Sequence, residues 1–377
     1  MTRKFLLCCL AALLACAATS AQNAKLIVKD AKIFSMAPNQ REPFTGYLVV
    51  ADDGTLTTVA PGNPPASLTA KETYDAHGDW IIPGFISAHS HIWQSAYRGL
   101  AADQTLTGWI DALYGQTAPR AKAEDFYWFT LHGSLDHLAH GVTAAYDFNY
   151  GGPQSYDFGH PAPTSQSHEA YEENQFRAEM DSGLRFVHGY QVGRASPKYS
   201  TEDARRALKT FLDWTATQPK SSAFLSVMIN GGTAFNDTYQ QAVMEKSLMD
   251  EFHLGNQTHY LEPPETAGEE QSKFRWFMDS GLLSKQLIFG HFIHTNDFIL
   301  QKTAAAGASM SWNPLSNGRL ASGTADIPKY LKMGVRVGMG VDGEASADIA
   351  DPFENMRTGL YAIRDKYENA AIMSPYD

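Results

Sequence analysis

The sequence is poor in cysteine, and this limits the chemistry that it can support. Its three cysteines, Cys8, Cys9 and Cys16, all lie near the N-terminus. From Gln22 onward the chain can form no disulfide, and no thiol is available as a nucleophile or as a metal ligand. The sequence also lacks the Gly-x-Ser-x-Gly motif of serine hydrolases and the Gly-x-x-x-x-Gly-Lys loop that binds phosphates. Any catalysis is therefore expected to use other groups.

Positive charge is also scarce. The chain has 30 Lys and Arg residues against 41 Asp and Glu residues, its formal net charge is −11, and no basic stripe stands out. Proteins that bind nucleic acids use clustered Lys and Arg to neutralise phosphates, so we expect no nucleic-acid partner. Hydrophobic residues make up 44% and charged residues 19% of the chain, which is typical of a globular protein.

The apolar run at the N-terminus is too short to span a bilayer comfortably. It extends from Phe5 to Ala18, follows a basic start, and is followed by small residues up to Ala21. This layout predicts a secretory signal peptide over residues 1–21, and hence an exported protein, periplasmic or secreted, without a membrane span. The alternative is a lipid anchor at Cys16, because Leu-Leu-Ala-Cys resembles a lipoprotein cleavage box, although its second leucine fits that box poorly.

The distribution of apolar residues predicts two structural parts. Residues 22–80 contain short alternating stretches separated by turn residues, which indicates a small β-domain. In residues 81–377, short apolar runs alternate with longer amphipathic stretches. Eight strand–helix units fit a TIM-type (β/α)8 barrel of the α/β class, with an open doubly wound sheet as the alternative. The predicted strands are WIIPGFISAH, VTAAYDF, RFVHGYQV, AFLSVMIN, QTHYLE, QLIFGHFI, SMSWNP and VRVGMGVD.

Metal-binding side chains recur at the ends of four of these strands. Side chains at i and i+2 of a strand share a face, so His89 and His91 can hold one ion while Ser90 points to the surrounding helices. A barrel would gather the other strand ends at the same mouth. With His259 and Asp342, the two histidines offer three nitrogens and one carboxylate oxygen. This set suits one divalent metal ion, Zn²⁺ before Fe²⁺ or Mn²⁺.

Two further strand-end residues suit roles in catalysis. Such a metal ion lowers the pKa of its bound water towards about 7 and so supplies hydroxide at neutral pH. A proton must then reach the leaving group. Glu262, three residues after His259, is placed to act as the general acid and base, the alternative being a charge at the start of the next helix. His291 is a candidate to hold the hydroxide or polarise the substrate, the alternative being a core histidine.

The sequence around these residues resembles the metal-dependent amidohydrolase superfamily, specifically its cytosine-deaminase and chlorohydrolase-like branch. The resemblance covers most of residues 24–377 and rests on IIPGFISAHSHIWQSAYRGLAAD, HYLE, GHFIH and SWNPLSNGRLASGTADIPKYLKMGVRVGMGVDG. It implies that the metal ligands are His89, His91, His259 and Asp342. It also implies that Glu262 is the proton shuttle, that His291 contacts the hydroxide, and that Asp342 takes a proton from the attacking water.

The resemblance also carries an expectation about the domains. It implies that residues 22–80 belong to a small β-sandwich beside a barrel formed by residues 81–377. In the family the chain returns to the sandwich after the last barrel helix. This sequence ends at AAIMSPYD, so the C-terminal part of the sandwich is expected to be missing.

The expected activity is metal-dependent hydrolysis of carbon–nitrogen bonds other than peptide bonds. Metal hydroxide would attack an sp² carbon of a small amino-substituted heterocycle, and ammonia would leave. Dechlorination, cyclic-amide hydrolysis, and an inactive fragment or metal-binding protein are the alternatives. The side chains expected to contact the substrate are Trp93, Trp109, Trp312 and Asn313. A homo-oligomer is compatible with the sequence, which does not specify the oligomeric state.

Overall fold

The computed structural model describes residues 23–155 and 166–376. The predicted signal peptide, with all three cysteines, lies outside these residues. The described residues divide into two compact units, with the boundary after Gly84. Within the described ranges, no helix is both long and apolar enough to cross a membrane.

The N-terminal unit contains one mixed β-sheet in its described residues. The strands are β1 (Asn23–Ile33), β2 (Phe44–Val50), β3 (Leu56–Pro61), β4 (Thr69–Asp75) and β5 (Trp80–Ile81). Their order is β3–β2–β1–β4, with β5 also beside β1; β2 is antiparallel to both neighbours, whereas β4 and β5 run parallel to β1. The β-rich start expected from the alternating pattern is present as a single sheet, and a β-sandwich stays a prediction.

A curled parallel sheet forms the centre of the C-terminal unit. Its strands are β6 (Phe85–His91), β7 (Val142–Phe148), β8 (Arg185–Gln191), β9 (Phe224–Gly231), β10 (Asn256–Tyr260), β11 (Leu287–His291), β12 (Ser309–Trp312), β13 (Arg336–Met339) and β14 (Asp342–Gly343). Consecutive strands pair in parallel from β6 to β13, and β14 pairs with β6. Because the last strand pairs with the first, the sheet curls back on itself. The predicted α/β class with a parallel sheet is confirmed.

Helices connect successive strands of this sheet, and polar caps begin several of them. At the start of the helix Thr201–Thr215, the Oγ atom of Ser200 accepts a hydrogen bond from the backbone N–H of Asp203, whose carboxylate accepts from the backbone N–H of Ser200. The helices are α1 (Leu106–Ile110), α2 (Ala123–Ala139), α3 (His168–Ser182), α4 (Thr201–Thr215), α5 (Gln240–Phe252), α6 (Ala267–Asp279), α7 (Asp297–Ala306), α8 (Pro314–Arg319), α9 (Ile327–Lys332), α10 (Glu344–Ala347) and α11 (Pro352–Tyr367). Short helical turns occupy Ile92–Tyr97, Asp111–Thr117, Ala118–Arg120, Pro153–Ser155 and Thr233–Phe235.

The eighth predicted strand is broken into β13 and β14. A Cβ atom added at Gly340 would lie 2.6 Å from the backbone oxygen of His89 and 2.6 Å from Oδ1 of Asn313, so only glycine fits this close approach. Asp342 then adopts a left-handed backbone with φ of 62°, a conformation rare for residues other than glycine. The break follows from contacts across the sheet, which the alternating sequence pattern does not contain.

A fully buried ion cluster links β8 to α3. The ring of His188 lies between two carboxylates: Nδ1 is 2.7 Å from Oε2 of Glu179, and Nε2 is 3.1 Å from Oε2 of Glu172. Burial alone would lower the pKa of His188, but Glu179 and then Glu172 raise it to about 10. Glu172 also accepts a hydrogen bond at 3.0 Å from the backbone N–H of Gln191. The cluster therefore anchors the end of β8 against α3.

We expect this cluster to make the stability of the fold depend on pH. The pKa of His188 is raised from 6.5 to about 10, so its stabilising contribution is complete below about pH 6.5 and is lost as the pH rises towards about 10. Replacing His188 with glutamine leaves two buried carboxylates without their cation. The free energy of unfolding should then fall by about 3–5 kcal/mol at about pH 6 and by much less at about pH 9.5.

Urea unfolding of metal-free wild type and His188→Gln at the two pH values measures this difference. A destabilisation of the same size at both values contradicts the prediction. Nitrogen-15 NMR of the histidine-labelled wild type provides a check that does not depend on the variant folding. It should show a charged His188 ring at about pH 8.

Candidate metal centre and active site

The four predicted metal ligands meet at one end of the curled sheet. His89 and His91 come from β6, His259 from β10 and Asp342 from β14. Nε2 of His89 and Nε2 of His91 lie 3.4 and 3.6 Å from Oδ1 of Asp342. Nε2 of His91 also lies 3.0 Å from Nε2 of His259. The structure therefore brings all four side chains into one cluster.

Hydrogen bonds behind the histidines orient them towards the cluster. Nδ1 of His89 bonds to Oε1 of Gln257, and Nδ1 of His91 lies 3.0 Å from the backbone oxygen of Phe148. Both partners can only accept, so Nδ1 carries the proton and the lone pair of Nε2 faces the cluster. Gln257 was not singled out from the sequence. Gln257 lies two residues before His259, on the same face of β10, and this spacing is the sequence signal that could have identified it.

Ser90, between two of the ligands, faces the opposite way, as the alternation of the strand predicts. Its Oγ atom lies 3.1 Å from Nε2 of His137 on α2 and 2.7 Å from Oγ of Ser87. The outward-facing serine therefore ties β6 to a helix, while the histidines on either side face inward.

The cluster has the protonation pattern that a divalent cation requires. Burial lowers the pKa of His91 to about 3 and that of His259 well below its usual value, so these rings are neutral. Nε2 of His89 is buried without a hydrogen-bond partner in the described part of the chain. Burial alone would raise the pKa of Asp342, but its contact with His89 and the neighbouring imidazoles keep that pKa well below the usual range. Two neutral imidazoles, the unpartnered Nε2 of His89 and the carboxylate of Asp342 thus fit a divalent metal ion.

Glu262 and His291 lie beside the four ligands. Oε1 of Glu262 is 3.5 Å from Nδ1 of His291 and accepts a hydrogen bond from Oγ of Ser322 at 3.2 Å. Nε2 of His291 lies 3.8 Å from Oδ2 of Asp342. Burial and the charge of Asp342 raise the pKa of Glu262 well above its usual value, whereas burial lowers the pKa of His291 to about 3. The site therefore pairs a carboxyl group whose surroundings favour its protonated form with a neutral imidazole.

The backbone is strained where these side chains leave the sheet. Leu261, His291 and Asp342 have φ angles of 55°, 65° and 62°. The left-handed conformation costs an L-residue about 1–2 kcal/mol, and such strain is concentrated at functional sites. Three such residues at three strand ends indicate that this end of the sheet is shaped for a site and not for stability alone.

A cavity of about 320 Å³ adjoins the cluster, within the range of sites for small organic ligands. Its floor includes Glu262, His291 and Asp342. Its walls are largely apolar and aromatic, with Leu106, Trp109, Ile110, Tyr114, Phe148, Val192, Phe235 and Leu320. Gln191 also lines the cavity, and its buried Oε1 atom has no hydrogen-bond partner among the described residues.

Of the four residues expected to contact the substrate, only Trp109 lines the cavity. Trp93 is fully buried among aromatic side chains, with its ring centroid 4.9 Å from that of Tyr150. The strand alternation sends Trp312 outward, so that a Cβ atom on Gly359 of α11 would lie 2.6 Å from its ring. Asn313 lies behind His291, with Nδ2 3.4 Å from Nε2. Proximity to a strand end therefore did not decide which side chains face the cavity.

Comparison with known proteins identifies the family of the chain. The sequence profile of the Amidohydrolase family matches residues 80–377. The chain is 25% identical to a 5-methylthioadenosine/S-adenosylhomocysteine deaminase of Desulforamulus reducens, over 93% of this chain and 77% of that protein. It is 26% identical to a 5'-deoxyadenosine deaminase of Methanosarcina mazei, over 89% of this chain and 73% of that protein.

The fold is also similar to that of solved structures. One is an adenosine deaminase from Xanthomonas campestris with bound zinc, with a TM-score of 0.76 and 17% identity over 94% of this chain and 77% of that one. At this level of identity the likeness concerns the fold alone. The family match, however, covers most of the chain and includes every residue of the candidate site. The chain therefore belongs to the amidohydrolase family of metal-dependent hydrolases, as the strand-end motifs predicted.

Proposed function

We propose that this protein is a zinc-dependent deaminase that hydrolyses the exocyclic amino group of an aminopurine nucleoside. The observation that carries the proposal is the buried Glu262, whose pKa burial and the charge of Asp342 raise, at the cavity beside the cluster of three histidines and Asp342. Hydrolytic deamination needs an acid that gives a proton to the heterocycle and then to the departing amine. The names of the two deaminase relatives support the purine nucleoside class.

The proposed reaction replaces the C–NH2 bond of the ring with a C=O bond, with water supplying the oxygen and ammonia leaving. His89, His91, His259 and Asp342 would hold the zinc ion, which acts as a Lewis acid and lowers the pKa of water. The carboxyl of Glu262 gives its proton to the ring nitrogen next to the reacting carbon. Asp342 takes one proton from the attacking water. The deprotonated Glu262 takes the remaining proton of the new hydroxyl group and gives it to the amine before the C–N bond breaks and the C=O bond forms. The proton held by Asp342 then restores the acid form of Glu262.

The cavity walls support a nucleoside in preference to a free base. The rings of Trp109 and Phe148 suit a flat heterocycle, which gains from burial against aromatic faces. Oε1 of Gln191 needs a donor, because a buried acceptor without a hydrogen bond costs about 1–3 kcal/mol. A sugar hydroxyl group supplies such a donor.

We further propose that residues 81–377 form a complete (β/α)8 barrel. Pairing of β14 with β6 supports this interpretation. Export after removal of residues 1–21 likewise belongs to the proposal, and it rests on the sequence of that segment alone.

Ammonia release by zinc-loaded protein tests the proposed function. The substrates are adenosine, 5'-deoxyadenosine, adenine, and matched amino- and chloro-substituted triazines. We expect ammonia from the two nucleosides at a higher kcat/KM than from adenine. Replacing Gln191 with leucine should reduce this preference by about tenfold, the equivalent of about one hydrogen bond. Gln286→Leu, an exposed substitution, should leave the preference unchanged. Chloride release from the triazine without ammonia from any nucleoside overturns the proposal.

A further inference from the structure

The backbone of Asp342 is strained, and contacts on both sides of it hold it in place. Its φ angle is 62°, and its carboxylate lies beside the Nε2 atoms of His89 and His91. Just before it, the backbone N–H of Val341 donates to Oγ of Ser87 at 3.0 Å. A strained residue persists only where the surrounding structure fixes the chain around it. The residues that follow this ligand must therefore be fixed as well.

Arg98 contacts the chain directly after this ligand. Its Nη2 atom donates a hydrogen bond to Oε2 of Glu344, the first residue of α10, whose side chain is only 1% exposed. The same Nη2 atom lies 3.3 Å from Oδ2 of Asp136 on α2. A buried carboxylate that loses its cation is strongly destabilising. The contact therefore fixes Glu344, two residues after Asp342.

The position of Arg98 in the chain connects it to the histidine ligands. The short helical turn Ile92–Tyr97 begins directly after His91 at the end of β6, and Arg98 follows this turn. The contact between Arg98 and Glu344 thus joins the strand end that carries two histidines to the strand end that carries Asp342. The backbones of β6 and β14 pair through only two residue pairs, so this side-chain contact adds to a very short ladder.

Two more contacts join the same two parts of the chain. Nε1 of Trp109 donates to the backbone oxygen of Ala345 at 2.9 Å. Nε of Arg319 donates to Oδ2 of Asp348 at 2.9 Å, and its Nη2 donates to the backbone oxygen of Leu100 at 3.0 Å. The chain after the carboxylate ligand is therefore tied to the segment after β6 at three points. The contact at the first residue of α10 is the nearest of them to the ligand.

We propose that Arg98 is a positioning residue, which through Glu344 holds Asp342 in place as a ligand of the zinc ion. The proposal rests on the zinc site of the proposed function. Arg98 does not line the cavity, so it acts on the site through the backbone of β14 and not through contact with the substrate. Its charge alone would have the opposite effect, because a nearby cation repels Zn²⁺.

The zinc affinity of Arg98→Met provides the direct test, because methionine keeps an unbranched side chain without the charge and the donors. If only charge mattered, loss of the cation would tighten zinc binding. We expect the Kd for zinc instead to rise by about tenfold, as is typical when a group that orients a ligand is removed. Competition with a chromogenic chelator measures the Kd. The measurement is made at a temperature at which the metal-free proteins stay folded, so that loss of stability alone does not change it.

The matched control is Arg205→Met. Arg205 on α4 is 38% exposed against 41% for Arg98, and its ion pair is with Glu251, which lies outside the lining of the cavity. This variant should keep the wild-type Kd for zinc. A Kd of Arg98→Met that equals the wild-type value, or is lower, overturns the proposal. If Arg98→Met does not fold, Arg98→Lys decides, because it keeps the charge without the planar donor group. Weaker zinc binding then supports the proposal, and wild-type affinity overturns it.

The visible spectrum of the cobalt-substituted proteins gives a second readout. The absorption bands of Co²⁺ depend on the number and geometry of its ligands. We expect the spectrum of Arg98→Met to differ from that of the wild type and the spectrum of Arg205→Met to be the same. An unchanged spectrum in Arg98→Met contradicts the proposal. Neither measurement needs a substrate, so a wild type that binds zinc but releases no ammonia contradicts the proposed function and leaves the role of Arg98 to these tests.

Discussion

Replacing Glu262 with glutamine is expected to lower kcat for ammonia release by about 10²–10⁴-fold, the usual contribution of a general acid and base. Glutamine keeps the size of the side chain and can still interact with Ser322, but it has no acidic proton to give to the ring nitrogen. Because Glu262 is not among the four clustered ligands, the zinc content of the variant should equal that of the wild type. Steady-state ammonia release and metal analysis of the same sample measure both quantities.

The matched control is Glu265→Gln, three residues along the chain. Glu265 is exposed and lies outside the lining of the cavity, so this variant should keep wild-type kcat and KM. Turnover of a nucleoside by Glu262→Gln at the wild-type rate would show that the proton comes from another group. The assignment of the acid would then fail even if deamination itself were established.

Replacing His89 with asparagine is expected to abolish both zinc retention and activity. The substitution removes one of three nitrogens from the cluster and leaves a shorter side chain that does not reach the same position. Loss of a hydrogen bond behind a ligand weakens metal binding by about 10–100-fold. We expect loss of the ligand itself to weaken zinc binding by more than this. Zinc content after dialysis against a zinc buffer, together with ammonia release, measures the result.

Two further variants are expected to have smaller effects on zinc binding than His89→Asn. His132 on α2 is exposed, so His132→Asn should retain zinc and activity at wild-type levels. Gln257→Ala removes the acceptor behind His89 and should weaken zinc binding by about 10–100-fold without abolishing it. Full zinc occupancy in His89→Asn would overturn the ligand set. Equal zinc affinity in Gln257→Ala and the wild type would show that Gln257 does not orient the ligand.

Much of the fold and of the cluster could be predicted because the relevant signals are local. Each strand is a short apolar run, and the predicted metal-binding and catalytic residues lie at the ends of these runs. His89 and His91 share a face because the side chains of a strand alternate. Parallel strands then place their ends together, so that residues as far apart in the chain as His89 and Asp342 are expected to meet. The break at Gly340 escaped prediction because it depends on the close approach of another strand.

The sequence also could not show which residues line the cavity. Trp93 and Trp109 are both aromatic residues in the segment between β6 and β7. Only the packing of the helical turns after β6 sends Trp93 into an aromatic cluster and Trp109 to the cavity wall. Trp312 faces the helices because of its place in the alternation of β12, which shows only when the exact strand is known.

By itself the sequence determined the α/β class, the family and the set of residues that cluster, since these follow from local periodicity and from motifs at strand ends. Only the tertiary structure decided how those residues are protonated. The raised pKa of Glu262 and the neutral rings of His91 and His291 come from burial and from neighbours distant in the chain. The contacts of Gln257 with His89 and of Arg98 with Glu344 arise in the same way. Solvent exclusion and long-range contacts set these properties, and neither can be read from the order of residues along a strand.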